Sequence, residues 1–154
     1  MLPTALAATV DLGTTTVVVE LLDTENGSSL GIASAWNAQA SFGTDVITRC
    51  QYCIEHPDGL QELKRVIRDQ ILGLIRSLGT EPERLRTVFI AGNTVMQHLY
   101  AGLSPAGIAV APFRPAVFFN GDEPWEPGIR YAPCVAGYIG GDITAGILAS
   151  GLHR

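Results

Sequence analysis

The sequence predicts an α/β fold of three layers, α/β/α, built on a five-stranded mixed sheet. Three observations carry that expectation. Short apolar runs separated by turn residues open the chain, as in an antiparallel meander. Further apolar runs then alternate with stretches of helical periodicity, the pattern of parallel strands joined by crossover helices. The composition is 47% hydrophobic and only 16% charged, with 17 glycines in 154 residues, which suits a packed domain with many tight turns.

The elements follow in order. Ala8–Val10 and Val17–Leu22 read as buried strands joined by Asp11-Leu12-Gly13-Thr14-Thr15-Thr16, where Gly13 allows the tight turn. Asn26-Gly27 marks the next hairpin, and Gly31–Trp36 alternates as a third strand. A helix is expected over Asp45–Glu55, with Thr44 or Asp45 as its cap, ending before Pro57-Asp58-Gly59. A second helix, Leu60–Leu78, places Leu63, Val66, Ile67, Ile71, Leu74 and Ile75 on one face and stops at Gly79. Leu85–Ala91 is the fourth strand and Val95–Ala101 a short helix after Gly92-Asn93-Thr94. Residues 102–132 are rich in Pro and Gly and read as an irregular insertion, with a small extension around Ala116–Phe119. A fifth strand is expected over Pro133–Tyr138, and Ile143–Leu152 closes the chain as a helix of small residues. This is the order of a ribonuclease-H-like unit with strand order 3-2-1-4-5. It would gather Asp11, Asn93 and Asp142 at the carboxyl ends of parallel strands, where such sheets bind ligands.

Charge and composition exclude several classes. Ten basic against fifteen acidic residues give −5, which argues against a nucleic acid or an anionic membrane as partner. The uncharged span between Thr87 and Phe113 is interrupted by Asn93, Gln97, His98, Pro105 and Pro112, so no membrane helix is expected. Met1-Leu2-Pro3-Thr4 has no basic region of the kind a signal peptide needs. Three cysteines make no disulfide framework, and a reduced, cytoplasmic setting is expected. Cys50-Gln51-Tyr52-Cys53 lies on a predicted helix without a second pair, so packing explains it better than metal; neither an iron–sulfur cluster nor tight zinc is expected in this chain.

The chemistry is concentrated at Asp11–Thr16. Clustered backbone N–H groups and hydroxyls can cradle phosphate oxygens, and a carboxylate at a strand end can hold hydrated Mg²⁺. The plainer reading of the same residues is a hairpin whose threonines favour β-structure and whose aspartate caps the turn. Asp45, Asp142 and Asn93 all stand near helix starts; capping accounts for Asp45 without function, whereas Asp142 suits capping and nucleotide chemistry equally, and Asn93 could cap its helix or belong to the site.

Four stretches carry a resemblance: Asp11–Val19 (DLGTTTVVV), Asn37–Arg49 (NAQASFGTDVITR), Ala91–Leu99 (AGNTVMQHL) and Gly137–Leu148 (GYIGGDITAGIL). The first resembles actin-like ATPases at large, a superfamily that includes sugar kinases and heat-shock chaperones. Together, in this order, they resemble the first half of the ATPase domain of reductive activators of corrinoid enzymes. The resemblance implies ATP with Mg²⁺ as cofactor, with Asp11 as the catalytic and metal-holding residue. It implies Gly13, Thr14, Thr15 and Thr16 as the first phosphate loop, with Asn93 and Asp142 as further cofactor-binding candidates. It also implies a second lobe of the same domain as partner, meeting the helix after Asp142, and a corrinoid protein as the target. On that expectation the chain is one lobe of a larger protein whose [2Fe–2S] domain lies elsewhere, and the lobe alone is nearly inactive. Two alternatives compete. A ribonuclease-H-type nuclease would use Asp11, Asp45 and Asp142 as a metal cluster; a non-catalytic interaction lobe would self-associate through the Gly/Ala helix face.

Overall fold

Alternation of apolar side chains makes Leu6–Leu12 (β1), Thr16–Asp23 (β2) and Ser29–Trp36 (β3) an antiparallel meander. The computed structural model describes residues 5–121 and 126–154. Residues 1–4, read above as lacking a signal, and 122–125 of the Pro/Gly-rich stretch lie outside them. A 3₁₀ turn at Ala38–Ser41 leads into α1, Val46–Glu55, whose N-terminus is closed by a capping box between Asp45 and Thr48. Next comes α2, Gly59–Ser77, which buries Leu63, Ile67, Ile71 and Ile75 at four-residue spacing. Then follow β4 (Leu85–Gly92), α3 (Thr94–Ala101), the four-residue α4 (Ala106–Ala109), β5 (Ile129–Tyr131) and α5 (Gly141–Ser150).

The sheet order is β3-β2-β1-β4-β5, with β4 parallel to both β1 and β5. Residues of β1 and β4 that share a face bury Val10, Leu12 and Ile90 against α2 and α3, in one core with Val17, Val19 and Met96. The opposite face carries Asp11, its neighbours Val18 and Ala91, and Phe89 two residues earlier on β4. There α5 lies beside β4 and leaves an apolar groove of about 480 Å³, lined in part by Phe89, Pro133, Ile147 and Leu148. Among the described residues, no helix is long and apolar enough to cross a membrane.

Two expectations fail. The fifth strand is Ile129–Tyr131, not Pro133–Tyr138. Proline cannot donate to a ladder, and the chain from Cys134 is drawn instead to Phe118, whose carbonyl accepts the Cys134 N–H at 2.7 Å. An isolated bridge between Ala136 and Ile139 then turns the segment back. The extension around Ala116–Phe119 does not form either: Phe119 adopts φ 53°, outside the β region. The stretch read as an irregular insertion holds α4 and β5 within it.

Candidate functional site

β1 carries Asp11 to the end of the sheet, and the chain then reverses through Gly13, Thr14 and Thr15 into β2. The turn is tight enough that a Cβ at Gly13 would stand 2.5 Å from the Thr16 carbonyl oxygen. Its backbone is tied from beneath. Asn37 Nδ2 donates to Gly13 O at 2.8 Å, Arg49 Nη2 to Thr14 O at 2.7 Å, and the Asn37 N–H to Thr15 O at 2.8 Å.

The parallel neighbour β4 ends beside β1, and Asn93 follows it directly. Asn93 Oδ1 accepts from the Met96 N–H at 3.0 Å and so caps α3, while Nδ2 donates to Thr14 Oγ1 at 3.0 Å. One side chain therefore both starts a helix and grips the turn. α3 next fixes the approach to α5. Gln97 Oε1 accepts from the Gly141 N–H at 3.0 Å and from Cys134 Sγ at 3.3 Å, Gln97 Nε2 donates to Ala132 O at 2.8 Å, and Thr94 Oγ1 donates to Ala136 O at 2.7 Å. Gly140 lies so close that an added Cβ would come within 2.5 Å of Asn93 Cα.

That clamp sets Asp142 in the first turn of α5, within electrostatic reach of Asp11. Gly140, with no side chain, is the cap, and among the described residues Asp142 accepts only from the Ile143 N–H, at 2.8 Å. Asp11 keeps much of its surface in water. Even so, burial of its carboxyl, and secondly the negative charge of Asp142, raise its pKa above the ordinary carboxylate value. Two carboxylates close enough to interact electrostatically, beside a turn of N–H and hydroxyl groups, have the chemistry a hydrated Mg²⁺ with phosphate oxygens requires, since Mg²⁺ in such sites takes one or two carboxylates and keeps several waters.

The structure thus brings Asp11, Gly13–Thr16, Asn93 and Asp142 to one sheet end. Asp45 is not part of it. Its carboxylate caps α1 through the Thr48 N–H at 2.9 Å, and that bond holds its pKa low. Among the described residues, no group of three or more Asp, Glu, His or Cys is placed to hold a metal, so the three-carboxylate nuclease cluster does not assemble. Cys50 packs in the core and Cys53 at its margin; burial pushes both thiols up to about 11, so neither is a thiolate at neutral pH. His98 is buried with Nδ1 on the Thr94 carbonyl at 2.7 Å and Nε2 accepting the Val117 N–H at 3.3 Å, a neutral ring that burial keeps from protonating.

Reading the residues for chemistry passes over Asn37, Gln39, Arg49 and Gln97, which build the floor of the site. The signal for Arg49 is its place on α1 beside Val46, Cys50 and Cys53, an arginine on the face that turns inward.

A family model described as the RACo middle region matches residues 6–154. The chain belongs to the RACo middle region family. It is 31% identical over 157 residues to the corrinoid activation enzyme RamQ of Eubacterium limosum, covering 94% of this chain and 26% of that protein. The solved structure of a reductive activator for corrinoid, iron-sulfur protein superposes with a TM-score of 0.90 at 38% identity, over 96% of this chain and 26% of that one. This RACo middle region therefore spans about a quarter of the length of both relatives. The sheet order and the family agree with the resemblance drawn from the sequence.

Proposed function

We propose that this chain is the first lobe of an ATP-binding domain serving the reductive activation of a corrinoid protein. The observation that carries the reading is the meeting of Asp11, Asp142 and the Gly13–Thr16 turn at the carboxyl end of β1. The corrinoid target rests on the names of the two relatives.

Nucleotide phosphates with Mg²⁺, when bound, would supply the charge that draws a cleft closed. The chain's own part is to bind and orient. Asp11 would hold Mg²⁺ waters through its carboxylate, and the N–H and hydroxyl groups of Thr14, Thr15 and Thr16 would take phosphate oxygens. Asp142 would face the same waters from α5, and Asn93 would keep the Thr14 hydroxyl in place. The exposed apolar residues Ile143, Ile147 and Leu148 of α5, with Leu152 just beyond its end, would meet a second lobe of the same domain, or another copy when that lobe is missing. The low-potential electron would travel through an iron–sulfur group carried by other parts of the activator. Free cysteines suit work in the cytoplasm.

The test is calorimetric titration of the full-length protein with Mg-ATP, together with ATP-dependent reduction of its corrinoid partner. Asp11→Asn should abolish activation and weaken Mg-ATP binding while the protein stays folded. Wild-type activation by that variant would remove Asp11 from the site.

A further inference from the structure

Arg49 is fully buried, yet no carboxylate lies within ion-pair distance of it among the described residues. A buried charge without a counter-ion is costly, and it persists only where other groups compensate it. Here the compensation is a ring of lone pairs. Nε donates to Gly43 O at 2.9 Å, Nη1 to Gln39 Oε1 at 3.3 Å and Met96 Sδ at 3.2 Å, and Nη2 to Thr14 O at 2.7 Å. Burial lowers its pKa, with Asp45 acting the other way, but an arginine still keeps its proton.

The direction of these bonds matters more than their number. A trans peptide is planar, so the C=O of one residue and the N–H of the next point in opposite directions. Gly13 O, Thr14 O and Thr15 O are drawn in turn to Asn37 Nδ2, Arg49 Nη2 and the Asn37 N–H. Each carbonyl held this way turns the following N–H, those of Thr14, Thr15 and Thr16, the opposite way. Two of these carbonyls are fixed by side chains from outside the hairpin, which the closure of a four-residue turn does not itself require.

We infer that Asn37 and Arg49 are positioning residues that aim the Thr14, Thr15 and Thr16 N–H groups at phosphate oxygens, with the Arg49 guanidinium adding a positive charge beneath the turn that no directly paired carboxylate neutralises among the described residues. The inference rests on the nucleotide reading above and assigns the residues that prepare the loop for it. Donors held before the ligand arrives need no reorganisation on binding, and a buried cation nearby favours the polyanion over its uncharged nucleoside. Neither residue would touch the nucleotide.

The experiment uses the full-length protein and displacement of a fluorescent ATP analogue by Mg-ATP or by adenosine, which lacks phosphate. Arg49→Lys keeps the charge but loses the fork that reaches Thr14 O. Asn37→Ser keeps a side chain able to cap the 3₁₀ turn but is too short to reach Gly13 O. Each variant should lose roughly tenfold or more in Mg-ATP affinity while adenosine affinity stays within about twofold. Equal losses for the two ligands, or unchanged Mg-ATP affinity in either folded variant, would overturn the inference. Should Arg49→Lys not fold, Asn37→Ser decides alone. Failure of the wild-type protein to bind Mg-ATP would instead bring down the nucleotide reading, and this inference with it.

Discussion

Because burial and the nearby charge of Asp142 hold the Asp11 carboxyl above its usual range, ionising Asp11 costs the folded state stability. An acid whose folded pKa exceeds its unfolded value binds its proton more readily when folded. Stability therefore falls as pH rises from the ordinary carboxylate value through the folded one, and levels beyond it. Asp11→Asn should accordingly melt at or slightly above wild type at neutral pH, with the difference closing in acid below the ordinary carboxylate range. Calorimetry across that range checks it, and a variant that melts lower at neutral pH would contradict the account. Mg²⁺ should relieve the same repulsion and raise the melting temperature of wild type more than that of the variant. The Asp11–Thr16 turn is legible in sequence because turn chemistry is local, within six residues. Arg49 is not, since its acceptors Thr14 and Met96 lie 35 and 47 residues away and a charged residue on an inward helix face contradicts the pattern used to find the core.

Among the elements, capping and periodicity translate directly into structure. Asp45 closes α1 through Thr48, so Asp45→Ala should lower the midpoint of urea unfolding. Ile71 lies at 1% exposure on the buried stripe of α2, and Ile71→Ala should cost about 2–5 kcal/mol by the same measurement. α5 behaves differently. Leu148 is 66% exposed and Leu152 79%, so Leu148→Glu should leave the stability of the 154-residue chain within about 0.5 kcal/mol. The same variant should reduce self-association in sedimentation velocity; an unchanged profile would detach this face from any interface. β5 escaped the sequence because a strand of three residues has too little alternation to recognise, whereas Pro133–Tyr138 is apolar enough to resemble one. Its apolar character serves the loop that Gln97 and Thr94 hold against α3.

For the molecule as a whole, one five-stranded sheet and one core join the described residues, so the 154-residue chain expressed alone should unfold in one cooperative transition. Its Mg-ATP affinity should fall well below that of the full-length protein, because a turn and two carboxylates hold phosphate without enclosing the base; equal affinities would mean that one lobe suffices. The parallel pairing of β1 with β4 has a consequence in time. Thr14 and its partner Asn93 are 79 residues apart, and β1 stays open on one side until β4 arrives. On the ribosome the meander can form early, but the turn cannot acquire its final grip until Asn93 has emerged and β4 has docked. At roughly 5–20 residues per second, synthesis leaves an interval of seconds between the two events. During that interval the edge of β1 is unpaired and open to wrong partners, and the docking of β4 that closes it is also the step that gives the turn its grip.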